Sequence, residues 1–278
     1  MSNTLSQLRV EIDRIDSEMH KLLVERGEVV GRVIEVKKAA GDVGSAFRPD
    51  REAALMRAII EKDCGRWPVD VPENIWRIIL ATSTYTQVPY TVHADISGGE
   101  IPIRESMRFH FGFTVPFAPA GDAKAVIRAV DEAAGDLGVF LIAQAPGLGA
   151  WWEGLARPQA PKIIARLPFA DRPGHPAGLP VYVIAKPQNE GLARETIVAS
   201  LQLERWRNEA HTALREIGAE LVASAGNAQG AQILVAHETK ISAERLTAAL
   251  NTAKCGPSRY AELGCHARHS AIAPRNKA

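Results

Sequence analysis

The sequence predicts two unlike parts: an all-α N-terminal domain of three helices, followed by an α/β (α+β) C-terminal region. Two observations carry this. Between residues 5 and 36, apolar residues recur in alternating steps of three and four, the spacing of a helix packed along a seam. From about residue 92 the chain changes to short apolar runs between turn residues and helix-like segments.

The first helix spans residues 4–40. Its stripe is Leu5, Leu8, Ile12, Ile15, Met19 and Leu22, then Val29, Val33 and Val36. At ~1.5 Å per residue the helix is about 55 Å long. A helix of that length needs a partner of similar length, so a dimer is expected. Gly41 and Gly44 end it. A second helix opens at Pro49, a favoured first-turn residue. Asp50 and Glu52 sit where the helix dipole favours acids, and the helix runs to about Lys62. A third covers about 73–87, with Ile75, Ile78 and Ile79 on one face, and Pro89 closes the helical part.

Beyond it, strands are expected at 115–117, 137–142, 162–167 and 181–185, with a helix at 122–134. Residues 171–180 are rich in proline and glycine and read as a linker. After Gly191 the order is strand (195–203), helix (204–217), strand (219–225), strand (231–237), helix (242–251). The chain thus divides at 1–90, 91–190 and 191–253, with a loose tail at 254–278.

Composition narrows the function. With 278 residues and a net charge of +1, nothing points to a nucleic-acid partner. Cys64, Cys255 and Cys265 form neither a disulfide framework nor a metal-ligand spacing. Glu11, Asp13 and Asp16 interrupt any signal-peptide core, and no run approaches the ~18 apolar residues of a membrane span. No membrane partner and a cytoplasmic, reducing setting are expected.

The chemistry lies in polar residues that do not fit their helices. Continuing the stripe from Leu22 puts Arg26 on it, and a guanidinium does not enter a helix core without an anion. Lys37 follows eleven residues later, close to three turns, on nearly the same face. Ser83 and Gln87 are four apart on the third helix and so are neighbours. Arg48-Pro49-Asp50-Arg51-Glu52 opens the second. Taken singly, each has a plain structural reading. Arg26 fits an internal ion pair, Lys37 a solvated face, Ser83 and Gln87 a polar helix end, and residues 48–52 ordinary capping. Together, three helices offer inward polar groups, mostly cationic, which is what a small dianion would need.

At these residues the first domain resembles the all-helical (type II) chorismate mutases. The resemblance covers about residues 5–90. It includes Leu8-Arg9, Glu11-Ile12-Asp13, Ile15-Asp16, Leu22-Leu23, Glu25-Arg26, Val36-Lys37, Arg48-Pro49, Arg51-Glu52, Ile78-Ile79, Ser83 and Gln87. It implies an intertwined homodimer whose sites draw on both subunits, acting on chorismate with no cofactor and no metal. Arg26 matches an arginine that grips a substrate carboxylate, and Arg9 the arginine supplied by the other subunit. Lys37 and Gln87 match the pair at the ether oxygen, and Glu52 the residue that holds the ring hydroxyl. Arg51 and Ser83 match supporting positions. Arg48 departs from members that carry an acid there. The reaction, chorismate to prephenate, is an intramolecular bond exchange in aromatic amino-acid biosynthesis. It calls for orientation of a flexible arm and stabilisation of charge developing on an ether oxygen.

The remainder resembles, more weakly, a degenerate prephenate dehydratase region. Arg104-Glu105-Ser106, Phe117-Ala118, Ala123 to Ala133, residues 136–140 and 162–164 carry it. Val181-Tyr182-Val183-Ile184 stands where that family has a strand with a threonine-arginine-phenylalanine motif, which this chain lacks. The second lobe expected between about 170 and 180 is missing. Residues 191–253 follow the order of an ACT-like module. Dehydratase activity is therefore not expected. His266 and His269 beside Cys265 hint weakly at a metal site, and Trp151-Trp152 reads as a core or lid element. An active mutase is the leading reading. The alternatives are a regulatory or binding protein on a degenerate mutase fold, and a full bifunctional mutase-dehydratase.

Overall fold

A computed structural model describes residues 4–40, 47–62, 64–142, 149–171, 174–187, 191–227 and 230–271. The N-terminal part is helical: α1 (Leu5–Ala39), α2 (Pro49–Glu61) and α3 (Asp70–Gln87). A capping box starts α1. The Thr4 amide donates to Gln7 Oε1 (2.8 Å), and the Gln7 amide donates to Thr4 Oγ1 (3.4 Å). Lys37 and Lys38 close it where the dipole favours cations. Gly41 and Gly44 lie outside the described residues. Along all 35 residues of α1 none is buried.

The C-terminal part contains β1 (Val92–Asp95), α4 (Glu100–Phe111), β2 (Phe117–Ala120), α5 (Ala123–Glu132) and β3 (Leu137–Leu141). There follow a 3-10 turn (Trp151–Leu155), β4 (Lys162–Leu167), β5 (Ala170–Asp171), a second 3-10 turn (Pro176–Gly178) and β6 (Val181–Ala185). Last come β7 (Thr196–Leu203), α6 (Glu209–Glu216), β8 (Ala219–Asn227), β9 (Gly230–Glu238), α7 (Ala243–Thr252), β10 (Pro257–His266) and β11 (Ser270–Ala271). Nine strands form one sheet in the order β2-β1-β3-β6-β4-β10-β7-β9-β8, and β5 pairs with β11. The all-helical start and the α/β region are thus both present.

Two expectations are corrected. The loose tail from residue 254 is, over residues 257–266, a strand inside the sheet. Pro257 and Gly264 had masked its alternation, yet Leu263 and Cys265 are buried. At Gly264 (φ +143) a Cβ would come 2.1 Å from the Ile163 carbonyl oxygen, so only glycine lets β10 approach β4. With β10, residues 196–266 read strand-helix-strand-strand-helix-strand, and α6 and α7 cover Leu201, Ile233 and Val235. The second correction concerns α3. Its buried face is Glu73, Arg77, Ala81 and Thr84, while Ile75 and Ile78 are exposed. The polar line can be buried because Arg77 meets a carboxylate, described below.

The helical and sheet parts share a core. Ala53, Met56 and Ile59 of α2 and Ala81 of α3 belong to one cluster with Ile103, Phe111, Val139 and Val183. On the opposite face of the sheet, Tyr182 and Ile184 pack with Trp152, Val198 and Leu234. Strand β6 is buried on both faces, which is why it reads as an unbroken apolar run. Trp151 and Trp152 are core residues, with the Trp151 ring 4.1 Å from that of Phe140. No described helix is long and apolar enough to cross a membrane.

Candidate active site

The face that α1 turns toward its own chain is Arg26, Val30, Ile34 and Lys37, all half-buried. The expected continuation through Val29 and Val33 is off by about one residue; both are more than 40% exposed. The helix meets α3 over a limited stretch rather than along a seam, so the straight-helix spacing of four dominates.

Arg26 meets α3 at Ser83. Its Nη1 donates to Ser83 Oγ (2.6 Å), Ser83 Oγ donates to the Ile79 carbonyl (2.6 Å), and Gln87 Nε2 donates to the Ser83 carbonyl (3.1 Å). Burial, and then the charge of Arg51, lower the Arg26 pKa from its ordinary value. Arg51, exposed in the first turn of α2, is therefore close enough to repel it. Among the described residues Arg26 has no carboxylate partner. A half-buried guanidinium on a hydroxyl, with a second guanidinium near enough to lower its pKa, is an arrangement that a bound carboxylate would neutralise.

The other candidates fall into three groups. Lys37 lies on the same face as Arg26, about 16 Å further along the axis, and no described hydrogen bond joins it to Gln87. Arg9 is exposed and stands about 25 Å from Arg26 along α1. It cannot reach the Arg26 site of its own chain. Arg48 and Glu52 each have a contact outside the Arg26–Ser83 cluster. Arg48 precedes α2, and its Cδ lies so near Gly191 (φ +75) that a Cβ there would come within 2.7 Å of it. Glu52 is 5% exposed, with Oε2 2.6 Å from Nη1 of Arg77, itself 1% exposed.

Arg77 is the residue that sequence reasoning missed. The available signal was its helical position, four residues after Glu73 and four before Ala81. Its partners are distant in sequence, so nothing local announced an ion pair. The hinted metal site dissolves into structural contacts. His266 Nδ1 faces the Ala267 carbonyl (2.7 Å) and His269 Nε2 the Pro168 carbonyl (2.7 Å). Among the described residues no cluster of histidine, cysteine and carboxylate side chains is arranged to hold a metal.

Comparison with known proteins supplies the context. Residues 8–88 match the family model of chorismate mutase type II. The bifunctional chorismate mutase/prephenate dehydratase of Neisseria gonorrhoeae is 30% identical over 96 residues, 33% of this chain and 25% of that protein. The protein of the same description from Stutzerimonas stutzeri is 29% identical over 143 residues, 50% of this chain and 38% of that one. The one from Aquifex aeolicus is 28% identical over 139 residues, 49% and 38% respectively. The matched stretches thus span well under half of these relatives. No solved structure matches the chain. The match takes in most of α1, all of α2 and α3, and the Arg26–Ser83 contact, so the helical part is similar to the type II chorismate mutases over residues 8–88.

Proposed function

We propose that the chain is a chorismate mutase, an isomerase that converts chorismate to prephenate. The observation that carries this is the Arg26–Ser83 contact, with the charge of Arg51 near enough to act on Arg26 and, among the described residues, no carboxylate paired with Arg26. A dianionic substrate supplies the missing charge. In this reading Arg26 grips one substrate carboxylate, with Arg51 and Ser83 in support. Lys37 and Gln87 donate to the ether oxygen as its bond breaks, where preorganised donors have their largest effect. Glu52 holds the ring hydroxyl. Arg48 is at most peripheral, given its seat against Gly191.

The mutase acts as a homodimer. An unburied 35-residue helix with an apolar stripe supports this. The position of Arg9 supports it too, since only a second copy brings that guanidinium to an Arg26 site. The rearrangement breaks one bond and forms another within one molecule, so side chains suffice and no cofactor enters. We read residues 1–90 as the mutase domain and 91–190 as a dehydratase-like lobe. The ACT-like module then begins near 191 and runs on through β10. A cytoplasmic setting fits this metabolism.

The test is the loss of chorismate absorbance in the ultraviolet. The full chain should turn chorismate over, and Lys37→Ala should cut kcat by at least about 100-fold while the protein stays folded. A near-normal kcat in Lys37→Ala removes that residue's role, and an inactive wild type favours the regulatory alternative. The descriptions of the relatives motivate one further arm. Added prephenate should remain unconverted, because the threonine-arginine-phenylalanine motif is missing from β6; phenylpyruvate would instead mark a bifunctional enzyme.

A further inference from the structure

Arg77, paired with Glu52 in the interior, has no place in the mechanism so far. A buried ion pair is weak evidence for stability, because desolvation offsets much of the attraction. Its value lies in orientation. The guanidinium of Arg77 is held on several sides. Nη1 donates to Glu52 Oε2 (2.6 Å), and Nε donates to the His110 carbonyl in the last turn of α4 (3.2 Å). The Phe169 and Phe111 rings lie 5.3 and 5.9 Å from its central carbon. Of these anchors, the His110 carbonyl and the Phe111 and Phe169 rings all lie beyond residue 90. His110 adds no competing charge, since burial and then Arg77 itself push its pKa well below the ordinary histidine range. Tyr90, whose hydroxyl donates to the Ala81 carbonyl (3.4 Å), is near enough to feel both charges. The carboxylate of Glu52 is therefore aimed by Arg77, and Arg77 is aimed by the C-terminal lobe.

We propose that Arg77 is a positioning residue through which the dehydratase-like lobe fixes the Glu52 carboxylate of the mutase site. The lobe has lost the features of its own chemistry but still completes the site in front of it. The inference rests on the mutase reading and on the role given there to Glu52.

The experiment uses the full chain and three variants, Arg77→Met, Arg77→Lys and Phe169→Leu, with chorismate kinetics and thermal melts on each. Phe169 touches the guanidinium from the lobe side and is no part of the mutase machinery. Leucine keeps apolar bulk there and removes the ring face. Arg77→Met should raise KM about tenfold or more, with Arg77→Lys intermediate. Phe169→Leu should raise KM about threefold. Combining Phe169→Leu with Arg77→Met should add nothing further, because the phenylalanine acts through the arginine. General structural damage gives a different result: the active fraction falls, so apparent kcat drops while KM stays put. Wild-type KM in both Phe169→Leu and Arg77→Lys, with only the melting temperature lowered, overturns the proposal and leaves the mutase reading standing. A wild type without mutase activity overturns both. If Arg77→Met does not fold, the other two variants decide.

Discussion

Helix α1 and strand β6 treat their apolar side chains in opposite ways. All five residues of β6 are buried, and none of the 35 in α1 is. Yet both are rich in valine, leucine and isoleucine. The difference lies in where the complement sits. For β6 it is within the chain, with Val181 and Val183 against one core and Tyr182 and Ile184 against the other. For α1 the chain supplies only a short contact with α3, and a stripe from Leu5 to Val36 is left open. The C-terminal region is finished by its own sequence. The helical domain is finished by a second molecule, in the reading adopted here.

The largest test of this contrast is a charge on the open stripe. Ile15→Glu should convert a dimer to a monomer in sedimentation and lower mutase activity by at least about 100-fold, while the sheet region still melts cooperatively. Wild-type mass and activity in this variant would mean that the stripe covers nothing.

The counterpart in the self-completed region is Gly264→Ala. It needs a positive φ and sets a Cβ 2.1 Å from the Ile163 oxygen. A stability loss of more than about 3 kcal/mol is expected from backbone strain of this kind, read by denaturant unfolding. A loss below about 1 kcal/mol would mean that β10 and β4 can move apart freely.

The smallest effect is a pH dependence confined to the sheet. Burial is the main cause that lowers the His266 pKa from 6.5 to about 4. The unfolded chain takes up this proton below about pH 6.5, and the folded chain only near 4. Stability from this group is thus whole above pH 6.5 and drains away as pH falls toward 4, by at most about 3 kcal/mol. His110 and His269 shift in the same direction. His266→Gln should therefore flatten the acid limb of melting temperature against pH without abolishing it. An unchanged limb would show that this imidazole carries none of the linkage.

Legibility in the sequence followed the range of the interaction. The spacing from Leu5 to Val36 announced α1, and unbroken apolar runs announced β3, β4 and β6, because each signal is local. Arg26 stood out because it broke a local pattern. Strand β10 was hidden, since Pro257 and Gly264 are poor strand formers and its neighbours β4 and β7 are far away in sequence. Arg77 was hidden more deeply. Glu52 lies 25 residues before it and the His110 carbonyl 33 after, so its burial is intelligible only once the fold brings them together. Part of the site shared that limit. Arg26, Ser83 and Gln87 assemble, whereas the contacts of Arg48 with Gly191 and of Glu52 with Arg77 join residues that no local pattern connects.

The place of β10 has a consequence for how the chain is made. Residues 257–266 wedge between strands formed by 162–167 and 196–203. On a ribosome, the sheet stays split until that late segment emerges. The edge of β7, which pairs with β10 at seven positions, is then open, and an open edge of this kind recruits foreign strands. The interval before β10 arrives is the time of greatest risk of aggregation, and high sequence separation makes its insertion slow. A nascent chain stalled before Pro257 should be a client for chaperones, whereas one stalled after His266 should not.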